Sequence, residues 1–296
     1  MLLDEVRRRN RRRALLLCVV AALNYWVIVS FILLCFGYLY LPHWLPALPS
    51  SGVIGALGIG GYLWGTVRSA DRATVRSLGA RMLEGGEWPK TAHLVEELAI
   101  ATGTPPVRVA YVEDDVPNAL TVGAGPARSA IVVTTGLVAK LTRDELEAVL
   151  AVQLCEIARL DVALRSVVVV CGRGSNAIFD WFEGGWRHVT SWPGLVLTWP
   201  SMAIGTVLQK LAFGNSDFGA DEMAVSITRN PDALRGALQK LLAAPGTVQA
   251  VTRQNAALWF EPVPETGDGR PRHVLLGRFA MTPSLEDRLS RLGASA

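Results

Sequence analysis

From Ala14 to Leu41 the chain carries no charged side chain, and this run limits the fold more than any other feature. About 20 helical residues cross the hydrocarbon core of a bilayer, so the run suffices with a few residues to spare. Arg7, Arg8, Arg9, Arg11, Arg12 and Arg13 stand directly before it. It is too long for the apolar part of a signal peptide, and no A-x-A-like cleavage site follows promptly, so an uncleaved anchor is expected. Residues 41–50, with three prolines and no Lys or Arg, turn the chain, and a second glycine-rich apolar run extends from Gly52 to Val67. Arg68, Arg72, Arg76 and Arg81 come next. The positive-inside rule then places the N-terminus and everything after Val67 in the cytoplasm. Gly61 and Gly65 form a G-x-x-x-G, read as a packing surface for a helix of the same chain. Two membrane spans are expected, at about 14–40 and 52–67, making residues 1–67 an anchor and residues 68–296 the main domain.

Composition agrees with this division. Half the residues are hydrophobic and 19% are charged, and the formal net charge is only +3. Much of the basic charge sits at the N-terminus, which fits membrane topology. The basic and aromatic interleaving of nucleic-acid binders is absent, so no nucleic-acid partner is expected. Cys18, Cys35, Cys155 and Cys171 include no C-x-x-C pair, which argues against a disulfide framework and is consistent with a reducing compartment.

Within residues 68–296 a helix is expected over residues 89–104. Three β-rich runs follow at 107–112, 119–123 and 129–135, separated by Asp-Asp, Pro-Asn and Gly-Pro punctuation. Thr142 to Asp161 then reads as one strong helix. Thr142 with Glu145 forms a capping box, and Leu146, Val149, Leu150, Leu154 and Ile157 recur at helical spacing. Two apolar segments, about 162–182 and 192–212, are expected to associate with the membrane, bringing the number of spans to between two and four. Arg165, Arg173 and Asp180 interrupt the first segment, so a buried or interfacial helix fits it as well as a span does. Helices are expected at 216–228, after Asn230-Pro231, and over the closing SLEDRLSRL, with residues 245–283 as loop. Gly58-x-Gly60 and Gly123-x-Gly125 are too short for phosphate loops.

The text VPNALTVG, AIVVTTGLVAKLTRDELEAVLA, SDFGAD and FAMTPSLEDRL resembles the HtpX-type membrane zinc metalloendopeptidases, with the two N-terminal runs and the basic linker in matching places. The resemblance implies an α+β membrane protein whose peptidase-type domain is mainly helical with a small β-sheet. It also implies a motif helix reading H-E-L-x-H, where this chain has Val152, Gln153, Leu154, Cys155 and Glu156. In that motif two histidines on one helical face give nitrogens to zinc, and the intervening Glu takes a proton from metal-bound water. Val152 offers no lone pair, and the Gln153 amide cannot act as a general base. The family's third ligand, a Glu, corresponds to Asp217, and Asp221 to the acid that would orient a ligand histidine. The family's T-H-P corresponds to Met281-Thr282-Pro283, so a further histidine is replaced. His43, His93, His188 and His273 fall at none of these positions.

These replacements imply no catalytic residues, no metal ligands and no cofactor. Glu156, Asp217 and Asp221 could instead offer carboxylates to a harder cation. The simpler expectation is that a basic side chain, Arg159 one helical turn from Glu156, neutralises them. Cys155 occupies a small-residue slot of the motif and is expected to be a buried structural cysteine. Asn118, Ala119 and Leu120 match the strand whose edge, in the related proteases, pairs with extended substrate. That edge could still take a peptide by strand addition, or be covered by loops of the chain. The resulting expectation is a multi-pass cell-membrane pseudopeptidase that binds a peptide or protein partner, alone or as part of a homo- or hetero-oligomer, as regulator, adaptor or complex subunit. The competing reading is a zinc-dependent metalloendopeptidase of protein quality control with unconventional ligands.

Overall fold

The structure, a computed structural model, describes residues 2–40, 60–61, 65, 72, 74–83, 88–166, 216–244, 246, 248–251, 258–261 and 283–294. A single helix, α1, runs from Leu2 to Tyr40 and carries the uncharged stretch on its second part. Among the described residues no helix is long and apolar enough to cross a membrane. The second expected span lies almost wholly outside the described residues, as do most of segment 162–182 and all of segment 192–212.

Four strands form one mixed sheet: β1 (Arg81–Met82), β2 (Arg108–Val112), β3 (Ala119–Gly125) and β4 (Arg128–Thr134). Their spatial order is β1-β2-β4-β3, with β2 parallel to β4 and the other pairs antiparallel. β3 and β4 form a hairpin through Pro126-Ala127, and β3 ends the sheet on one side. The two-residue β1 carries no apolar alternation, which is why the sequence did not announce it.

The two-residue period of a strand sorts these side chains onto two faces. Ala119, Ile131 and Val133 face one core with α2 (Pro89–Thr102), α4 (Arg143–Arg159) and α6 (Pro231–Ala243). Leu120, Val122, Ala130 and Val132 face a second, smaller core with Val75, Leu78, Val248 and Trp259. A short helix, α3 (Thr135–Lys140), leads from β4 toward α4. Gly136 is required there, because a Cβ would stand 2.2 Å from the carbonyl oxygen of Asp115.

α4 is the centre of the domain, packed against α1, α2, α6 and α5 (Ser216–Thr228). Its expected apolar stripe is buried, but so are Val152, Gln153, Cys155 and Glu156, so the helix is enclosed on nearly every side. The capping box at its start is complete. Thr142 Oγ1 accepts from the Glu145 N–H, and Glu145 Oε2 accepts from the Thr142 N–H at 2.7 Å. Replacing Thr142 by alanine is expected to cost about 1 kcal/mol of stability, read as a shift of the urea midpoint at unchanged slope. The N-terminal helix is tied to the other end of α4. Arg7 Nε donates to the Ala158 carbonyl (2.6 Å), and Asn10 Nδ2 donates to the Arg159 carbonyl (2.9 Å). These bonds satisfy carbonyls that a helix end leaves without intrahelical partners. α7 (Leu285–Ala294) closes the described fold.

Candidate functional site

α4 ends at Leu160, a non-glycine residue in the left-handed region (φ 65°), whose N–H caps the carbonyls of Glu156 and Ile157. The chain then turns and is helical again from 161 to 166. This turn brings Arg165 back beside the motif residues. Its guanidinium Nη1 lies 3.1 Å from Glu156 Oε1, and its Nη2 bonds to Asp217 Oδ1 on α5. All three side chains are buried, at 5%, 4% and 8% exposure, so water screens the arrangement little. A guanidinium therefore stands between the carboxylates at two of the positions that the motif resemblance would give to metal ligands.

This corrects the expected partner of those acids. Arg159 does not reach Glu156; its Nε donates to Asp161 Oδ2 at 2.8 Å. Asn10 Nδ2 donates to the other oxygen of Asp161 at 2.6 Å, so α1 completes that pair. The Arg159 guanidinium also lies flat against Gly219 of α5, where a Cβ would stand 2.4 Å from Nη2. Helical spacing favoured Arg159 because it ignored the reversal at Leu160. The signal that could have found Arg165 was present: it is a lone charge inside an apolar run, a pattern that marks a buried partner.

The remaining motif positions are also engaged. Val152 is buried without a donor atom. Gln153 accepts, through Oε1, a hydrogen bond from the Thr121 hydroxyl of β3. Thr121 is two residues from Ala119 and so shares the strand face that looks at α4. Asp221 is held bidentately by Arg288 of α7, at 2.6 and 2.8 Å. Burial raises the Glu156 carboxyl above its ordinary range, while Arg165 pulls it down and Asp161 pushes it up. Cys155 is fully buried and its thiol is pushed up to about 12 by that burial, so it holds no thiolate at neutral pH. The expected buried structural cysteine is what stands there.

These groups do not fit a water-activating zinc. Such a site needs neutral nitrogens or free carboxylates at 2.0–2.2 Å and a base beside the water. Here one position has no donor, the amide is bonded to a hydroxyl, and both carboxylates are paired with a guanidinium. Among the described residues no group of three or more His, Cys, Asp or Glu side chains is placed to hold a metal ion. His93 is exposed, and Thr282 with the other histidines lies outside the described residues.

The β3 edge at Asn118, Ala119 and Leu120 is covered by residues 258–261. Trp259 bridges Leu120 in antiparallel sense, and the Phe260 N–H donates to the Ala119 carbonyl at 2.7 Å. Asn118 Oδ1 accepts from the Glu261 N–H (3.0 Å), and Asn118 Nδ2 donates to the Glu261 carbonyl (3.2 Å). Trp259 enters the smaller core and Phe260 the larger one. Arg288 stacks 4.1 Å from the Phe260 ring and donates to its carbonyl, joining this segment to Asp221. Among the described residues the buried Trp259 Nε1–H has no hydrogen-bond partner, a defect worth about 1–3 kcal/mol. Of the two alternatives for this edge, cover by the chain itself is the one observed. The sequence hid it because ALWFEP has no strand-length alternation.

Burial pushes the Glu261 carboxyl up to about 7. Its folded pKa lies above the unfolded value, so the native state binds more protons between about pH 4.5 and 7. Stability is expected to fall as pH rises through that window and then level off. Glu261→Gln should flatten this part of the profile in thermal melts taken at half-unit pH steps.

Comparison with known proteins covers the whole chain. The family model described as Peptidase family M48 matches residues 89–296. The chain is similar to three proteins named Protease HtpX homolog, each aligned over 99% of both chains. The one from Streptococcus gordonii is 29% identical over 310 residues. Those from Leuconostoc citreum and Limosilactobacillus fermentum are 25% and 28% identical, both over 313 residues.

Proposed function

Because the chain belongs to peptidase family M48, we propose that it is a membrane-anchored pseudopeptidase, which binds proteins or peptides as regulator, adaptor or complex subunit without hydrolysing them. The observation that carries this reading is the Arg165 guanidinium held between Glu156 and Asp217. Hydrolysis by this scaffold requires an electrophile and a base at one water molecule. Arg165 can pair with both carboxylates, but it offers no vacant coordination position and cannot lower the pKa of water as a metal does. Gln153, bonded to Thr121, cannot accept the proton.

Support for the anchor comes from α1. Arg8, Arg9, Arg11, Arg12 and Arg13 are exposed, and Leu15, Leu16, Val19, Leu23 and Trp26 beyond them are exposed too. A basic collar followed by exposed apolar side chains suits a helix that leaves the cytoplasmic headgroups and enters hydrocarbon. Arg7 and Asn10 stay behind on the end of α4, which would hold the domain against the cytoplasmic surface. The competing reading, a zinc-dependent metalloendopeptidase with unconventional ligands, draws on the names of the similar proteins and on the carboxylates that Glu156 and Asp217 offer.

Incubation of the detergent-purified full-length chain with an unfolded membrane protein separates the two. Retention of the substrate in intact form, unaffected by chelator, is the expected result. Cleavage that a chelator stops would overturn the pseudopeptidase reading.

A further inference from the structure

The hydrogen bonds that hold residues 258–261 on β3 are directed at main chain. Ala119 accepts from the Phe260 N–H, and the Asn118 amide brackets the N–H and carbonyl of Glu261. Any extended peptide presents the same groups, so this edge recognises backbone rather than a particular sequence. Selectivity comes from two successive side chains that enter opposite faces of the sheet edge. Trp259 fills the smaller core, and Phe260 fills the larger one beneath Arg288.

We propose that residues 258–261 are a tethered stand-in for a peptide ligand, and that an extended partner segment with two successive large apolar residues binds antiparallel to β3 by displacing it. The inference rests on the reading of this chain as a peptide-binding scaffold. Two features make the stand-in replaceable. Among the described residues it joins β3 through one isolated bridge and the Phe260–Ala119 bond, a short attachment compared with the β3–β4 ladder. It also leaves the Trp259 indole N–H buried and unpartnered, a loss that an incoming Phe, Leu or Met at that position avoids. A partner with such a residue gains the same backbone bonds without the defect.

The probe is a fluorescent peptide copying residues 256–262, Ala-Ala-Leu-Trp-Phe-Glu-Pro, added to the full-length chain in detergent. Phe260→Ala loosens the tether, and the probe should bind this variant about tenfold tighter or better than wild type. Trp259→Ala empties the smaller core and loosens the tether from its other side, so the probe should bind this variant severalfold tighter as well. Circular dichroism checks that Phe260→Ala folds. Should it not, hydrogen exchange on wild type carries the test: saturating probe should accelerate exchange of the Phe260 and Glu261 amides. Equal affinity for all three proteins, or exchange unchanged by the probe, overturns the displacement. Mass spectrometry of the recovered probe keeps the two readings apart, because chelator-sensitive cutting would contradict the pseudopeptidase reading while leaving displacement standing.

Discussion

Replacing Arg165 by methionine is expected to cost about 3–5 kcal/mol of stability at neutral pH, the typical penalty for removing one member of a buried ion pair. The cost comes from what remains. Glu156 and Asp217 would face each other in a site nearly closed to water. Burial already raises Glu156, and loss of the guanidinium removes the main influence pulling it down. In the variant the folded chain therefore binds more protons than the unfolded chain above the ordinary carboxylate range. The deficit should be small near pH 4 and grow as pH rises. Urea unfolding of wild type and variant across pH measures it. Adding Glu156→Gln and Asp217→Asn to the methionine variant should recover most of the loss, because a buried pair replaced on both sides costs little. A loss below about 1 kcal/mol, or one independent of pH, would mean that Arg165 does not hold these acids.

The second large effect concerns the metal. Val152→His, Gln153→Glu, Glu156→His and Asp217→Glu together rebuild the family's donor set on paper. They leave Arg165 in place, and its guanidinium would compete with a dication for the carboxylate introduced at 217. Zinc affinity of this fourfold variant should stay weak. Adding Arg165→Ala should tighten it by about a hundredfold or more, equivalent to about 3 kcal/mol. Competition against a zinc indicator dye reads the difference directly. Tight binding by the fourfold variant alone would show that Arg165 is incidental to the site.

These two experiments centre on a residue that motif matching passes over. The motif helix, its capping box, the β3–β4 hairpin and the helices at 89, 216 and 231 follow local rules, and they stand in the structure close to where spacing put them. The departure from the motif that the resemblance implies was equally legible, because it depends only on residue identity at Val152, Gln153, Glu156 and Asp217. The partner of the acids was legible only in part, since Arg165 stood out as a lone charge in an apolar run but its destination did not. Leu160 turns the chain at a residue that does not favour positive φ, so no glycine marked the return of Arg165. The Arg288–Asp221 pair and the Trp259 bridge join residues 67 and 139 positions apart. Such contacts depend on tertiary packing, which no local period records. The membrane spans remain a reading of sequence and of the exposed surface of α1.

The central claim is that Arg165 occupies the place where the related proteases bind a catalytic metal. Zinc content of the wild-type full-length protein, measured by mass spectrometry of the element after dialysis against micromolar zinc, tests it most directly. Zinc far below one equivalent, unchanged by Glu156→Gln, is the predicted result. One zinc per chain, lost on that substitution, would contradict the account.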